Sequence, residues 1–331
     1  MDEAGRSSLP RSRTYVDPTI GAELQRLQAG AGSELVVDGR VVLAETSVKI
    51  SRALGPLAVD AWLAMNAVWV EDGLGADGRC SASMRRVARL VWPRTPTSGG
   101  KTNRLLREVF DRLYEFSLTA EDFDMVSGTL RAGALSKARL ITELTYDRDL
   151  RLGEGSVPYD PSASGMATGG LRDQSLSWRF SERYVEHARD GGLLALDLER
   201  LSALDGVAKT LWVQMSTPRF PFRAVDGDRE IETCSIELTT GNLCALGVSS
   251  PNPKQQRRTL RAAGQRIVQS DRGYVEIDCD VRANVLVIAR RADYTTPMIF
   301  PDGQIPEQLP RGTKAFTPDG LRQADEALQL F

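Results

Sequence analysis

Histidine is almost absent from the 331-residue chain, in which His187 is the only one. An HExxH zinc motif needs two histidines, and so does the His-pair metal site of a nicking relaxase unless carboxylates substitute. A Ser-His-Asp triad needs only one, but no nucleophile-elbow pattern accompanies His187. Tyr184 and Tyr274 are lone tyrosines with no predicted metal cluster to activate them. We therefore predict no catalytic residues, no metal site and no cofactor.

Cysteines are few, and apolar runs are short. Cys80, Cys234, Cys244 and Cys279 are widely spaced with no CxxC pair, which argues against a zinc site or a disulfide framework and fits reduced thiols. No apolar run approaches the roughly 18 residues that a transmembrane helix needs. The N-terminal sequence has no apolar core after its charges, as a secretory signal would have. These features predict a cytoplasmic protein with no membrane partner.

A large net charge is missing as well, since the chain carries −2 at pH 7 and has a pI of about 5.7. This near balance argues against a protein that coats nucleic acid through charge alone, although it permits a confined basic surface. Domains commonly contain about 100 to 200 residues, so the length allows two of them. A function that depends on positive charge must then be confined to part of the chain.

Basic residues concentrate in one predicted helix, from Lys254 to Ser270. Apolar residues recur at helical spacing on one side of it, and the other faces carry Lys254, Arg257, Arg258, Arg261, Gln265 and Arg266. From Lys254 to Gly273 there are six Lys/Arg residues against one acid, Asp271. Such local clustering is what contact with DNA phosphates requires. A solvated helix face without a ligand is the alternative interpretation.

The elements predicted around this basic helix favour DNA binding. A short helix over 238–246 precedes it, separated by the helix-stopping turn 249–253. Two β-rich runs, 274–279 and 285–289, follow it and are joined by a loop of hairpin length. Helix, turn, basic helix and hairpin is the order of a winged helix-turn-helix, whose basic helix enters the major groove. Gly264 within the basic helix costs about 1 kcal/mol relative to alanine, and a close approach to another element is one reason to tolerate it.

The first half of the chain has a similar plan without a close sequence repeat. A buried helix is predicted over 56–70, and a second one is opened by Ser81 or Ser83. A third runs from Lys101 to about Glu115 and is followed by strand-like runs. We therefore predict an α+β, mainly helical fold with tandem winged helix-turn-helix domains. The predicted bounds are 1–40 (a mostly flexible segment containing the start of a small hairpin), 41–150 (first winged helix), 151–174 (a Gly/Ser/Pro-rich loop or linker), 175–292 (second winged helix) and 293–331 (a tail).

Gly100-Lys101-Thr102 resembles the end of a phosphate-binding P-loop. The pattern GxxxxGK[ST] needs a glycine at position 95, which is Thr95 here, and a strand before the loop. This loop instead contains Pro93 and Pro96 and joins two helical patterns. A nucleotide-dependent enzyme is therefore disfavoured. Lys101 at a helix N-terminus suits contact with a DNA phosphate better.

The segment 175–216 reads SLSWRFSERYVEHARDGGLLALDLERLSALDGVAKTLWVQMS, which predicts a strand, a short polar helix, an apolar run and a further helix. The order of these elements, together with the two modules that flank them, resembles the initiator (Rep) proteins of theta-replicating plasmids. The resemblance extends from Val41 to Arg291. The resemblance implies that the first module contributes dimerisation and extra DNA contact, while the second reads directly repeated origin sites. It also implies that several protomers strain the adjacent duplex and recruit a host helicase.

The initiator interpretation assigns roles to the polar residues of both modules. Base edges are expected to be read by Arg257, Arg258, Arg261 and Gln265. Phosphates are expected to be contacted by Lys254, Arg266, Arg272 and Arg282. The first module is expected to add Lys101, Asn103, Arg104 and Arg107. The alternative is a winged-helix transcriptional regulator, but 175–216 shows neither an effector pocket nor a coiled coil.

Overall fold

Helices in this chain begin where a short polar side chain can accept a hydrogen bond from the first turn. In the computed structural model, Ser83 Oγ accepts from Arg86 N at 3.1 Å, and Ser181 Oγ accepts from Tyr184 N at 3.2 Å. Thr239 caps the next predicted helix in the same way. Each cap satisfies a backbone N–H that has no partner within its helix and contributes about 1 kcal/mol. Of these starts, the one at Ser83 confirms one of the two positions predicted for the second helix.

The described part of the chain comprises residues 13–16, 35–37, 40–43, 47–50, 56–93, 100–124, 129–148, 174–216, 220, 222–225, 228–301, 303, 305, 307, 309, 313–320 and 323. Within it the helices are α1 (Pro56–Glu71), α2 (Met84–Val91), α3 (Gly100–Glu115), α4 (Glu182–Gly191), α5 (Leu198–Ala203), α6 (Gly206–Ser216), α7 (Thr240–Ala245) and α8 (Pro253–Ser270). None of the helices in these ranges is both long enough and apolar enough to cross a membrane.

The strands of the described residues form four sheets. In chain order they are β1 (Arg13–Val16), β2 (Leu35–Val37), β3 (Arg40–Leu43), β4 (Ser47–Ile50), β5 (Arg79–Ser83), β6 (Ser117–Asp124), β7 (Thr129–Arg139), β8 (Ile141–Arg148), β9 (Gln174–Phe180), β10 (Leu193–Asp197), β11 (Arg223–Val225), β12 (Asp228–Glu237), β13 (Tyr274–Asp280), β14 (Val285–Arg291), β15 (Thr296–Ile299) and β16 (Thr313–Phe316). The sheet orders are β1-β10-β15-β16, β13-β14-β12-β2-β3 with β11 beside β12, β4-β6-β7, and β5-β9-β8.

The expectation of a mainly helical fold is wrong, because strands and helices cover about equal lengths of the described chain. The protein is a mixed α/β fold. The additional strands lie in segments whose local sequence resembles a loop or a tail. Their backbone groups are satisfied by partners far away in the chain, and local periodicity does not reveal such pairing.

The first unit consists of α1, β5, α2, α3, β8 and β9, in that order along the chain. Its sheet places β9 between β5 and β8, with antiparallel pairing on both sides. Alternate strand residues such as Leu176, Trp178 and Phe180 are buried on one face, against the tryptophans of α1. Strand β6 pairs with β7 on one side and with β4 on the other. They are inserted between α3 and β8.

The second unit consists of α6, β12, α7, α8, β13 and β14. Its sheet places β14 between β12 and β13, again antiparallel on both sides. The element order and the position of the last strand are therefore the same as in the first unit. A salt bridge between Lys209 of α6 and Asp60 of α1 joins the first helices of the two units.

The predicted domain bounds need three corrections. Strand β9, assigned to the second domain, pairs with β5 and β8, so a boundary at 174/175 would divide a sheet. Arg148 and Gln174 are register partners, and residues 149–173, outside the described residues, therefore connect two strands of one sheet. The segment predicted to be mostly flexible contains β1, which pairs with β10 and buries Tyr15. The predicted tail contains β15, which also pairs with β10, and β16.

Candidate nucleic-acid interface

Helix α8 lies with one side against β13 and the opposite side in solvent. Leu260, Ala263, Gly264 and Ile267 form its buried side. A Cβ atom added at Gly264 would lie only 2.5 Å from the carbonyl oxygen of Ile277 in β13. The glycine thus allows the helix and the strand to approach more closely than any other residue would, as its presence in a helix interior suggested.

The solvent side of α8 is positively charged and rich in carboxamides. Its exposed residues are Lys254, Gln255, Arg258, Arg261, Ala262, Gln265, Arg266 and Gln269. The one acid between residues 254 and 273, Asp271, is only 1% exposed and does not reach this surface. Within the described ranges, the side chains of Lys254, Arg258 and Gln265 make no hydrogen bond or ion pair with another residue. They are therefore available to a ligand.

Two arginines of α8 are directed at the β13–β14 hairpin. Arg261 Nε donates to Asp278 Oδ1 at 2.6 Å, and Arg261 Nη2 donates to the carbonyl of Cys279 at 3.1 Å. Arg257 Nη2 donates to Asn284 Oδ1 in the hairpin turn at 3.2 Å. These contacts differ from the predicted base-reading role of both arginines. They connect the helix to the hairpin at two points.

The Arg261–Asp278 contact changes the charge state of both groups. Partial burial acts to raise the pKa of Asp278, but hydrogen bonds from Arg261 and from the Cys279 N–H outweigh it and hold that pKa below its ordinary value. The same contact raises the pKa of Arg261. The Asp278 carboxylate therefore stays ionised to a lower pH than an unpaired aspartate, which keeps the helix and the hairpin connected there.

The hairpin turn over 281–284 is organised by its own side chains. Asp280 Oδ1 accepts from the backbone N–H groups of Arg282 and Ala283 at 2.8 and 3.1 Å. Asn284 has a positive φ of 54°, a conformation that asparagine tolerates better than most residues. Arg282 and Val281 are exposed in the turn. The turn thus exposes one cation, Arg282, in the loop that Arg257 of α8 contacts through Asn284.

The remaining second-unit residues lie at the two ends and one flank of α8. Arg266 forms an ion pair with Asp205, just before α6, so its charge is partly neutralised. Arg272 is exposed immediately beyond the C-terminus of the helix. Lys254 is exposed in the first turn. The structure therefore brings together all eight predicted residues of the second unit, although three of them are paired with acids or with the hairpin.

Asp271 anchors the C-terminal end of α8. Its carboxylate accepts from Arg200 Nη1 at 2.8 Å, from Trp212 Nε1 at 2.9 Å and from the Tyr294 hydroxyl at 3.0 Å. It also accepts from the backbone N–H of Gly273 at 3.0 Å. A buried carboxylate is tolerated only when it is paired and hydrogen-bonded in this way. The result is a fixed orientation of α8 against α5 and α6.

The residues predicted to contact DNA in the first unit differ in their exposure to solvent. Asn103 is only 8% exposed and lies on the buried side of α3, which argues against its predicted DNA contact. The cause is helical spacing, since Asn103 shares a face with the buried residues Leu106 and Phe110. Arg104 is 77% exposed and forms only a weak ion pair at 3.8 Å with the Glu108 carboxylate.

Two further first-unit residues lie close to the same helix. Arg107 is half-buried, with its guanidinium 5.4 Å from the centre of the Tyr146 ring in β8, so packing occupies part of it. Lys101 lies in the first turn of α3 as predicted. The described element before that turn is helix α2, where a P-loop would have a strand.

The tyrosines considered as nucleophiles are inaccessible. Tyr184 is buried and donates to Asn66 Oδ1 at 2.9 Å. Tyr274 is buried as well, and burial raises the pKa of its hydroxyl. His187 lies within α4, and its side chain is outside the described part of the chain. Neither tyrosine can reach a DNA phosphate.

Three residues of the candidate interface were missed in the sequence. Gln255 is exposed one turn before Arg258, and the helical period of 3.6 residues would have identified it. Asp278 and Asn284 are the partners of Arg261 and Arg257. An Asn at the end of a hairpin turn indicates a left-handed backbone conformation, but nothing local in the sequence indicates an arginine partner.

The arrangement offers cationic groups and carboxamides on a convex helix beside a hairpin. Comparisons of the chain with protein-family models, with curated proteins and with solved structures found no match. The function must therefore be argued from this geometry.

Proposed function

We propose that the protein is a sequence-specific, double-stranded DNA-binding protein built from two winged-helix units. The observation that carries this proposal is the repeated order of helix, strand, helix, helix, strand and strand, in which the last strand lies between the other two strands of its unit. In a winged helix the third helix enters the major groove and the last two strands form the wing. In the second unit these elements are α8 and the β13–β14 hairpin.

The chemistry of α8 supports the same proposal. An α-helix with its side chains is about 10–12 Å in diameter, which fits the major groove of B-DNA. Lys254, Arg272 and Arg282 stand at the two ends of α8 and in the hairpin turn, where the phosphates of the groove walls would lie. Asp271, the one acid between residues 254 and 273, is buried, so no carboxylate of α8 itself faces those phosphates.

Replication initiation of a plasmid is the biological role we infer for this DNA binding. The support is the resemblance to theta-type initiators, together with two units of the same order but different sequence in one chain. In this role, protomers in the cytoplasm would bind repeated origin sites through the second unit. The first unit would add the exposed Arg104 to a neighbouring groove segment and support a homodimer. Strained duplex beside the repeats would then be opened and a host helicase recruited.

Binding to fragments of the protein's own replicon tests the proposal. The full chain is titrated onto labelled fragments covering the replicon at two salt concentrations, with random DNA as competitor. Saturable binding to a fragment with direct repeats, about 10³-fold or more tighter than to random DNA, is the expected result. Binding to a promoter palindrome alone would favour a transcriptional regulator, and equal weak binding to every fragment would refute sequence-specific recognition.

A further inference from the structure

The outermost line of α8 contains three consecutive residues of different size before it continues to the exposed Gln269. Along the helix, Arg258, Ala262 and Gln265 follow one another at i, i+4 and i+7, and all three are exposed. They lie opposite the line of buried residues that contains Leu260 and Ile267. The flanking arginines are paired elsewhere in the structure. The central line is therefore the part of α8 that can penetrate furthest into a groove.

Alanine in the middle of this line has a geometric consequence. A long side chain at position 262 would hold the helix axis away from the floor of a groove, whereas the methyl group of Ala262 allows close approach. One turn on either side, Arg258 and Gln265 are long enough to reach base edges from that depth. The line thus has a small residue, Ala262, that allows close contact, with the guanidinium donors of Arg258 on one side and the carboxamide of Gln265 on the other.

From this line we propose that the protein reads a G·C pair with Arg258, an A·T pair with Gln265 and a thymine methyl group with Ala262. Arginine is matched to the O6 and N7 acceptors of guanine, glutamine to the N6 and N7 edge of adenine, and a methyl side chain to the thymine methyl group. This inference rests on the proposed DNA-binding function, and it specifies the chemistry of the site that α8 recognises.

The spacing of the three residues sets the spacing of the bases. Seven residues of α-helix span about 10.5 Å, which corresponds to about three base-pair steps of 3.4 Å. With α8 running along the groove, the G·C and A·T pairs lie about three base pairs apart, and the thymine read by Ala262 lies between them or beside the adenine. Arg257 and Arg261 act as positioning residues, because their guanidinium groups are held by Asn284 and Asp278.

Selection from a pool of random duplexes tests the assigned bases. The full-length protein should enrich a motif with a G·C pair and an A·T pair at this spacing. Arg258→Ala should lose the preference at the G·C pair alone, and Gln265→Ala at the A·T pair alone, each by roughly 5- to 150-fold. Lys254→Ala is the matched control from the same helix, and it should weaken binding to all sequences while selecting the same motif.

Base analogues test the individual contacts. 7-Deazaguanine at the assigned G removes the N7 acceptor, and it should weaken the wild type but leave Arg258→Ala unaffected. Uracil in place of the assigned thymine removes one methyl group, which should weaken the wild type by about fourfold. Ala262→Gly should bind the thymine and uracil duplexes equally.

The outcomes separate this inference from the proposed function. If the wild type enriches a motif but Arg258→Ala and Gln265→Ala retain every base preference, DNA binding stands and the assignment of bases is overturned. If the wild type enriches no motif at all, the proposed sequence-specific function fails first. Insensitivity of the wild type to both base analogues would likewise overturn the assignment.

Discussion

Replacement of Gly264 by alanine should destabilise the protein, although the same change stabilises most helices. Helix propensity alone predicts a gain of about 1 kcal/mol, because alanine loses less backbone entropy than glycine on folding. At this position the new Cβ would lie 2.5 Å from the Ile277 carbonyl oxygen and 2.8 Å from the Ile277 Cβ. Neither atom is at the end of a flexible side chain, so relief requires movement of α8 away from β13.

The magnitude follows from these two opposing effects. Overpacking of a close interface costs about 1–3 kcal/mol, and contact with a backbone oxygen belongs in the upper part of that range. Subtraction of the propensity gain leaves a net loss of about 1–2 kcal/mol in the free energy of unfolding. The displaced helix should also lose the contacts of Arg257 and Arg261 with the hairpin, so specific DNA affinity should fall as well.

Urea denaturation of the full chain gives the free energy of unfolding for the wild type and for Gly264→Ala. Ala262→Gly, on the exposed side of the same helix, is the control, and it should lose about 1 kcal/mol through propensity alone. A gain of about 1 kcal/mol for Gly264→Ala would refute the reasoning. It would mean that α8 does not depend on close packing against β13.

Three further perturbations test the contacts that hold the interface together. Asp271→Ala leaves Arg200 without a buried partner and removes the acceptor of Trp212 Nε1–H and of the Tyr294 hydroxyl. Urea denaturation should show a loss of about 3–5 kcal/mol in the free energy of unfolding. The control Asp293→Ala removes an exposed pair with Arg291 and should cost below about 1 kcal/mol. Similar losses for the two variants would contradict a central role of Asp271. The carboxyl carbon of Asp278, followed by NMR, should titrate below the ordinary value of about 3.9 and move up in Arg261→Gln. Because the folded-state pKa of Asp278 is depressed, the stability that this carboxylate contributes is present above about pH 3.9 and is lost as the pH falls through the folded-state pKa. A pKa at or above about 3.9 in the wild type would be inconsistent with the Arg261–Asp278 ion pair. Burial raises the pKa of Asp60 and the charge of Lys209 opposes that shift, so Lys209→Met should raise it further and cost about 1–3 kcal/mol at pH 7. Because the folded-state pKa of Asp60 is raised, the stability linked to its protonation is present below about pH 3.9 and is lost as the pH rises. The loss of unfolding free energy in Lys209→Met should therefore become smaller in acid. A loss that is constant with pH would contradict the Lys209–Asp60 pairing.

Local features of the fold were predictable from the sequence because they depend on neighbouring residues. The helix start at Ser83, the basic helix that ends before Gly273, and the hairpin after it are all confirmed by the structure. Capping, helical periodicity and turn composition act within a few residues. The sequence around Gly264 also indicated a close approach, and the strand that makes it is β13.

Pairing over long distances explains what the sequence did not show. Arg79 pairs with Arg179, a hundred residues further along the chain, so nothing near Gln174–Phe180 marks this strand as part of the first sheet. Strand β1 depends in the same way on β10. The base-reading role predicted for Arg261 did not take its ion pair with Asp278 into account. That contact depends on how β13 is positioned against α8, which the local sequence does not show. Asn103, by contrast, could have been excluded by its helical spacing from Leu106 alone.

The central claim is that the exposed side of α8 binds DNA in a sequence-specific way. The most direct test is the affinity of wild type, Arg258→Gln and Arg291→Gln for the repeat-containing replicon fragment and for random duplex, measured at one salt concentration. Arg291 is exposed and paired with Asp293, away from the hairpin turn, and serves as a control with the same change of charge. Arg258→Gln should lose about 5- to 150-fold in specific affinity, with Arg291→Gln close to wild type. Equal affinities of all three proteins for the fragment, or no preference of the wild type over random duplex, would contradict the account.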